Sequence, residues 1–286
     1  MKRLIERKPQ LTLRSVIVAV LCSLLIILGC VLLASCGKTS PENPGPTKDP
    51  ETLARERGAQ IVSEYLKRDA APYRQTRVRL TVTSTSEPSQ VYELDIWRKQ
   101  VSGETLTLTQ IVQPAAQRNV ASLTTERKGE DALNVTYVTA NDQFRETGTS
   151  KSFFGGVTSQ EFLGEWDKYD VRLMNEEEMN GIKSYEIEAR LKPKRNSVIA
   201  RLTALFRADT YQPAEMHAFD SDGQELRTFR VTEYRSFGGR AVVGRMDIEN
   251  HIIKTTVVVE VLKMGFPDRM DDSLFTREKL KQIAKQ

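Results

Sequence analysis

The stretches "VRLTVTS", Val78–Ser84, and "YELDIWR", Tyr92–Arg98, carry the pattern on which the fold turns. In the first, Val78, Leu80 and Val82 alternate with Arg79, Thr81 and Thr83. In the second, Tyr92, Leu94 and Ile96 alternate with Glu93, Asp95 and Trp97. A period of two sends successive side chains to opposite faces of an extended chain, so both segments predict β-strands with one apolar face. The same pattern recurs in "ETLTLTQIV" from Glu104, "LNVTYVT" from Leu133, "SYEIEARL" from Ser184, "RTFRVTEY" from Arg227 and "TTVVVEVL" from Thr255. Asp222-Gly223 lies between two such runs and predicts a tight hairpin turn. Repeated short alternating strands separated by polar turns predict an antiparallel sheet.

Helical spacing is confined to a few places. Glu51–Ala71 sets Ala54, Ile61, Val62, Tyr65 and Leu66 at helical intervals, with Arg55, Arg57, Glu64 and Lys67 on much of the other side. Thr158-Ser159-Gln160-Glu161 has capping-box spacing ahead of Phe162, Leu163 and Trp166, and a last helix is expected from Thr276. "EEE", Glu176–Glu178, reads as a solvated turn. The predicted class is α+β: one large curved antiparallel sheet with helices on one side, spanning residues 51–286.

The N-terminus has a different character. Residues 1–15 carry Lys2, Arg3, Arg7, Lys8 and Arg14 against Glu6, and Val16–Ser35 carries no charge. A basic start followed by an apolar run predicts an export signal over residues 1–35. Leu33-Ala34-Ser35-Cys36 resembles the bacterial lipobox, which implies lipid attachment at Cys36 and cleavage before it. An uncleaved apolar helix of about 20 residues is the alternative. In both cases the remainder lies outside the cytoplasm. Residues 36–50 then form a tether: "TSPENPGPTKDP", Thr39–Pro50, has four prolines and no large apolar residue. At ~3.1 Å per residue in the polyproline form it reaches roughly 35–40 Å.

Composition excludes several function classes. The chain has 42 Lys and Arg against 38 Asp and Glu, but loss of residues 1–35 removes five basic groups and one acidic group, leaving a formally neutral chain. No basic patch interleaved with aromatics points to nucleic acid. All three cysteines, Cys22, Cys30 and Cys36, lie at or before the lipobox, so no disulfide, thiolate metal site or cysteine nucleophile is expected beyond it. The two histidines, His217 and His251, stand apart in sequence, each in a strand pattern and away from other ligand types. No nucleophile elbow or phosphate-binding loop occurs. "DSDG" at Asp220 lacks the further acids of a calcium loop. No catalytic residue, metal or cofactor is therefore predicted. A hydrolase using scattered carboxylates is the remotest alternative.

The apolar face of the sheet is what remains. Val78, Leu80, Val82, Leu94, Ile96, Leu106, Leu108, Tyr185, Ile187 and Leu191 are expected to share it, with more area than the few helices cover. An uncovered concave apolar surface is a site for an apolar ligand. Leu80, Leu94, Ile96, Leu108 and Ile187 are the expected lining.

The second half adds a resemblance. The segments from Phe153, Phe206 and Arg245 place Tyr211, Pro213, Asp222, Gly223 and Leu226, then Met246, Lys254 and Thr255, then Pro267, Asp268, Phe275, Thr276 and Leu280 in a familiar order. In this the chain resembles the outer-membrane lipoprotein-sorting, LolA/LolB-like family. The resemblance implies an unclosed β half-barrel lidded by helices. It also implies a non-catalytic carrier of lipid or lipoprotein acyl chains in the periplasm of a Gram-negative-type envelope, with a membrane transporter as a further partner. An anchored chain departs from a soluble shuttle and suits an acceptor. Gly37 after the cysteine, with no Asp to signal retention, favours the outer membrane. The competing reading is a structural or assembly lipoprotein that binds a protein partner.

Overall fold

Each alternating segment quoted above forms a strand in the computed structural model, which describes residues 48–148, 166–179 and 181–286. The signal, Cys36, most of the tether and the helix expected from Thr158 lie outside the described residues. Trp166 alone of that helix is described, in a short 3-10 turn, Trp166–Lys168.

Helix α1, Pro50–Asp69, opens the compact unit that runs from Lys48 to Gln286. Asp49 caps it by accepting from the Thr52 amide, and Pro50 at its first position has no amide left to satisfy. Strands β1 (Tyr73–Ser84), β2 (Gln90–Val101), β3 (Glu104–Gln113), β4 (Ala121–Arg127), β5 (Leu133–Val138) and β6 (Gln143–Gly148) form one antiparallel meander. A second meander follows: β7 (Tyr169–Met179), β8 (Ile182–Leu191), β9 (Arg201–Arg207), β10 (Pro213–Phe219), β11 (Glu225–Phe237), β12 (Arg240–Asn250) and β13 (Thr255–Gly265). Helix α2, Arg277–Ala284, ends the chain and is capped by the Thr276 side chain.

The two meanders make one 13-stranded sheet because β13 returns to pair with β1. Its order is β6-β5-β4-β3-β2-β1-β13-β12-β11-β10-β9-β8-β7, so the first and last strands are central and β6 and β7 are the edges. A twisted sheet this wide curls rather than staying flat. The curl brings the β4–β5 loop to the far half of the sheet. There Arg195 donates to the Gly129 carbonyl at 2.7 Å, and Lys168 pairs with Asp131 at 3.1 Å. No strand pairing joins β6 to β7, so the result is an unclosed half-barrel of α+β class.

The faces of this sheet differ. Cross-strand partners share a face, so the pairs Val78–Leu94, Leu80–Val259 and Val257–Ile248 put the largest core cluster on one face. The opposite face carries ion pairs such as Arg77–Asp95 at 2.6 Å and Arg79–Glu93 at 2.8 Å.

Three expectations need correction. The helices do not share a side. Helix α1 packs Ile61 and Val62 against Tyr169, Ile187 and Phe206 on the apolar face. Helix α2 buries Leu280 and Ile283 against Leu108, Leu123 and Val135 on the other. Glu176–Glu178 is not a turn; it is the end of β7, extended because its backbone pairs with Lys183–Tyr185. Leu66 is 45% exposed, outside the buried stripe of α1.

Gly58 explains how α1 fits against an edge strand. A Cβ there would sit 2.7 Å from the Arg172 backbone and 2.8 Å from the Leu173 amide nitrogen, so helix and β7 touch main chain to main chain. Gly58→Ala gains up to about 1 kcal/mol of helix propensity but forces backbone apart, an overpacking cost of roughly 1–3 kcal/mol. We expect a net loss of about 1–2 kcal/mol and a Tm lower by roughly 2–8 °C in calorimetry; an unchanged or higher Tm disproves the close approach.

Candidate functional site

The apolar face of the sheet beside α1 is the best-formed candidate. Leu80, Ile248 and Val257 are about 1% exposed, yet no described helix lies on them; their cluster comprises residues of the sheet and Ile199 of the β8–β9 loop. Around this floor runs a half-buried border of Val82, Tyr92, Ile96, Met216, Met246 and Met264. Unbranched, polarisable methionine refits irregular apolar shapes at low cost. The floor is thus an apolar trough with an adaptable rim.

Four of the five expected lining residues fall on this face. Leu94 is 5% exposed and packs with Leu80, while Ile96 stands on the rim. Ile187 is fully buried, under α1, in the neighbouring cluster with Tyr169, Tyr185 and Phe206. Leu108 is separated from the other four. It pairs directly with Trp97, so it points to the opposite face and lies beneath Leu280 and Ile283. Leu106 pairs with Lys99 and follows it. Register across the Ser102-Gly103 turn, not the alternation within β3, decides their side. The methionines were missed because they stand alone in their strands, outside the Val and Leu runs.

A second pocket is polar. A cleft of about 540 Å³ is lined by Val101, Ser102, Gly103, Glu104, Arg127 and Lys128 at the β2–β3 turn, with Arg127 and Glu104 paired at 2.7 Å. It has no apolar floor for a lipid chain.

The histidines do not stand apart. Adjacent strands bring His217 and His251 to one carboxylate, Glu225: His217 Nδ1 is 2.6 Å from Glu225 Oε1, and His251 Nε2 is 3.8 Å from it. Thr228 donates its hydroxyl to Glu225 at 2.9 Å and lies 2.8 Å from His251 Nε2, while Glu215 takes the other His217 nitrogen at 3.1 Å. The Thr228 proton is directed at Glu225, so the hydroxyl is not set up as a nucleophile. Among the described residues no group of three His, Cys, Asp or Glu is arranged to hold a metal ion. The cluster is a polar clasp across β10, β11 and the β12–β13 turn.

Burial raises the Glu225 carboxyl pKa, but hydrogen bonds from His217 and Thr228 outweigh this and hold it below the ordinary value. A depressed carboxylate contributes stability above its unfolded pKa, near 4.5, which is lost as pH falls through the lower folded value. Since the group is 36% exposed, about 1 kcal/mol is the expected scale. Glu225→Gln should lose that amount at pH 6–7 in urea unfolding and approach wild-type stability below about pH 4. A deficit that stays constant down to pH 3 contradicts the clasp.

Comparison with known proteins agrees with this geometry. A protein-family model described as "-like: Uncharacterized protein" matches residues 103–282, more than half of the chain. Among curated proteins none matches. Of solved structures, a DUF1329 family protein from Desulfovibrio piger aligns with TM-score 0.73 at 17% identity, covering 82% of this chain and all of that one. A domain named for outer membrane lipoprotein sorting, from Vibrio parahaemolyticus, aligns with TM-score 0.69 at 19% identity over 79% of this chain and 99% of the other. A LolA superfamily protein from Nitrosomonas europaea aligns with TM-score 0.65 at 16% identity over 78% and 98%. The chain belongs to the family that the matching model describes, and its half-barrel is that of the LolA-like, lipoprotein-sorting proteins.

Proposed function

We propose that the domain is a non-catalytic acceptor for the acyl chains of lipids or lipoproteins, which enter the trough floored by Leu80 and Leu94 and bordered by Ile96, Met246 and Met264. The observation that carries this reading is the continuous apolar face of the sheet, on which α1 packs only at the β7–β9 end and α2 does not pack at all. Ten buried methylenes at ~0.8 kcal/mol each supply about 8 kcal/mol before ordering costs, which suits reversible holding. The chain enters by parting the half-buried rim from the buried floor, and release follows when a deeper apolar site competes. A relative in fold named for outer membrane lipoprotein sorting, and one named as a LolA superfamily protein, support the reading. The tight packing of Leu80 and Ile187 favours the alternative, a scaffold lipoprotein that binds a protein partner.

The intact protein, extracted from membranes and treated with organic solvent, is expected to release bound lipid and then to take up a fluorescent fatty acid. Ile96→Glu or Met246→Glu should weaken uptake by roughly tenfold or more, the effect of a charge facing a buried chain. Val91→Glu, on the other face of the same strand and 50% exposed, should leave it unchanged. Equal uptake by all four proteins removes the acceptor reading and leaves the scaffold.

We further propose that the chain is held on the periplasmic side of the envelope, with the outer membrane favoured, by lipid at Cys36. Among the described residues no helix is long and apolar enough to cross a membrane. Mass spectrometry of the membrane-purified protein should find an acylated N-terminal cysteine at position 36. Retention of residues 1–35 shows the uncleaved helix instead.

A further inference from the structure

The face that holds the trough changes character along β3. Leu94 pairs with Ile111, Ile96 with Thr109 and Arg98 with Thr107, so the threonines of β3 share a face with Leu94 and Ile96. The ladder carries the pattern outward. Thr109 pairs with Ser122 and Thr107 with Thr124; on β5, Ser122 meets Thr136 and Thr124 meets Asn134. The apolar members of these strands, Leu108, Leu123 and Val135, point the other way, beneath α2. The trough is therefore bordered on one side by a field of hydroxyls.

One of these hydroxyls is not satisfied. Thr107 is 6% exposed, and its Oγ1 has no hydrogen-bond partner among the described residues. Its neighbour Thr124, also buried, donates to Asn134 Oδ1 at 3.3 Å, so that proton is already in use. Buried polar atoms are nearly always paired, because an unpaired one loses its hydration without replacement. Thr107 is thus a free donor on the face of the trough. Alternate residues of a strand lie ~6.8 Å apart and neighbouring strands ~4.8 Å apart. Thr107 is one such step along β3 from Thr109, and Thr109 is one strand across from the rim residue Ile96.

We propose that this hydroxyl field is the ester site of the trough: Thr107 donates to a carbonyl oxygen of a fatty acyl ester of glycerol, and the attached chain lies over Ile96, Leu94 and Leu80. An ester carbonyl is an uncharged acceptor joined to an alkyl chain, and adjoining parts of one face meet both halves of that description. A free carboxylate suits the place less well. The neighbours of Thr107 on its own strand and on β4, Thr105, Thr109, Ser122 and Thr124, are neutral, Arg98 across on β2 is already engaged, and Glu126 on the same face repels an anion. The inference rests on the acceptor reading above and names its substrate class.

The test compares two lipids that differ only in their carbonyls, dioctanoylglycerol and its diether counterpart di-O-octylglycerol, as competitors for the fluorescent fatty acid on the intact, solvent-treated protein. The diester should compete about tenfold more strongly, the scale of one or two hydrogen bonds. Thr107→Val keeps the shape and removes the donor, and should bring the two lipids within about twofold of each other. Its melting temperature should be unchanged or higher, since the lost hydroxyl has no partner in the empty protein. Thr81→Val, on the other face of β1 opposite Val91, should keep the tenfold preference. A diacylglyceryl-cysteine peptide carries the same two esters and should compete as the diester does; tighter competition by the peptide identifies a lipoprotein as the source, and tighter competition by the glycerolipid identifies a free lipid. Equal competition by diester and diether overturns the ester site while leaving the acceptor reading in place. A Thr107→Val protein that keeps the preference, or that loses it together with a lowered melting temperature, also overturns it. Failure of both lipids to compete, with no uptake of the fatty acid, removes the acceptor reading and the ester site together.

Discussion

Everything in this domain depends on the antiparallel pairing of its first strand with its last. Val78, Leu80 and Val82 stand opposite Val261, Val259 and Val257, six side chains that fill the middle of the apolar face. Without that seam the chain is two separate meanders, each with two open edges. With it, both inner edges disappear, and among the described strands β6 and β7 are the edges. The contact joins residues about 180 positions apart, so closing it is costly in chain entropy and belongs late in folding, after the local hairpins. Valine suits the position because its branched side chain is already restricted in a strand and loses little on packing.

The two faces of the sheet are each met by one of the helices, in a different way. Helix α1 lies on the apolar face, main chain against main chain on the edge strand β7, an approach that glycine at position 58 permits. Arg57 and Arg68 secure it, through the Tyr185 hydroxyl and the Asp209 carbonyl. Helix α2 lies on the outer face instead, over Leu108, Leu123 and Val135. Asp142 holds it there, its carboxyl kept at about 2 by the Tyr137 hydroxyl and by Lys281. Because α2 works outside, no described helix lies on the inner face of β1, β2, β12 and β13.

Much of this was legible because strand alternation is a local property. β1, β2, β3, β5, β8, β11 and β13 stand where period-two runs predicted them, and both described helices lie within two residues of their expected starts. Sidedness was not local. Leu94 and Leu108 look equivalent in sequence, yet the two-residue turn at Ser102-Gly103 pairs Val101 with Glu104 and so sets Leu108 opposite Trp97 instead of Ile96. Had that turn been counted, the sequence alone would have separated them. The His217–Glu225–His251 clasp was beyond such counting, since its members meet through pairings on both sides of β11 and through a turn whose geometry Asn250 decides. Gly58 gave no signal at all, because the strand it touches lies more than a hundred residues away.

A trough whose floor is already buried poses a specific physical condition for any ligand. An acyl chain cannot simply fill vacant space there; it must replace contacts that Leu80, Leu94 and their neighbours already make, so its affinity is the difference between two apolar packings. That difference is small when the displaced side chains are stiff and pay an off-rotamer penalty, and more favourable when they can re-form contacts around the guest. The rim holds Met216, Met246 and Met264, each with three rotatable bonds and a polarisable sulfur, whereas the floor holds valines and isoleucines. A half-barrel with no strand pairing between its edges can widen by small changes of twist, while its central seam keeps register. On the proposed acceptor reading, an apolar guest would enter past the unpaired edges while the β1–β13 seam stays paired.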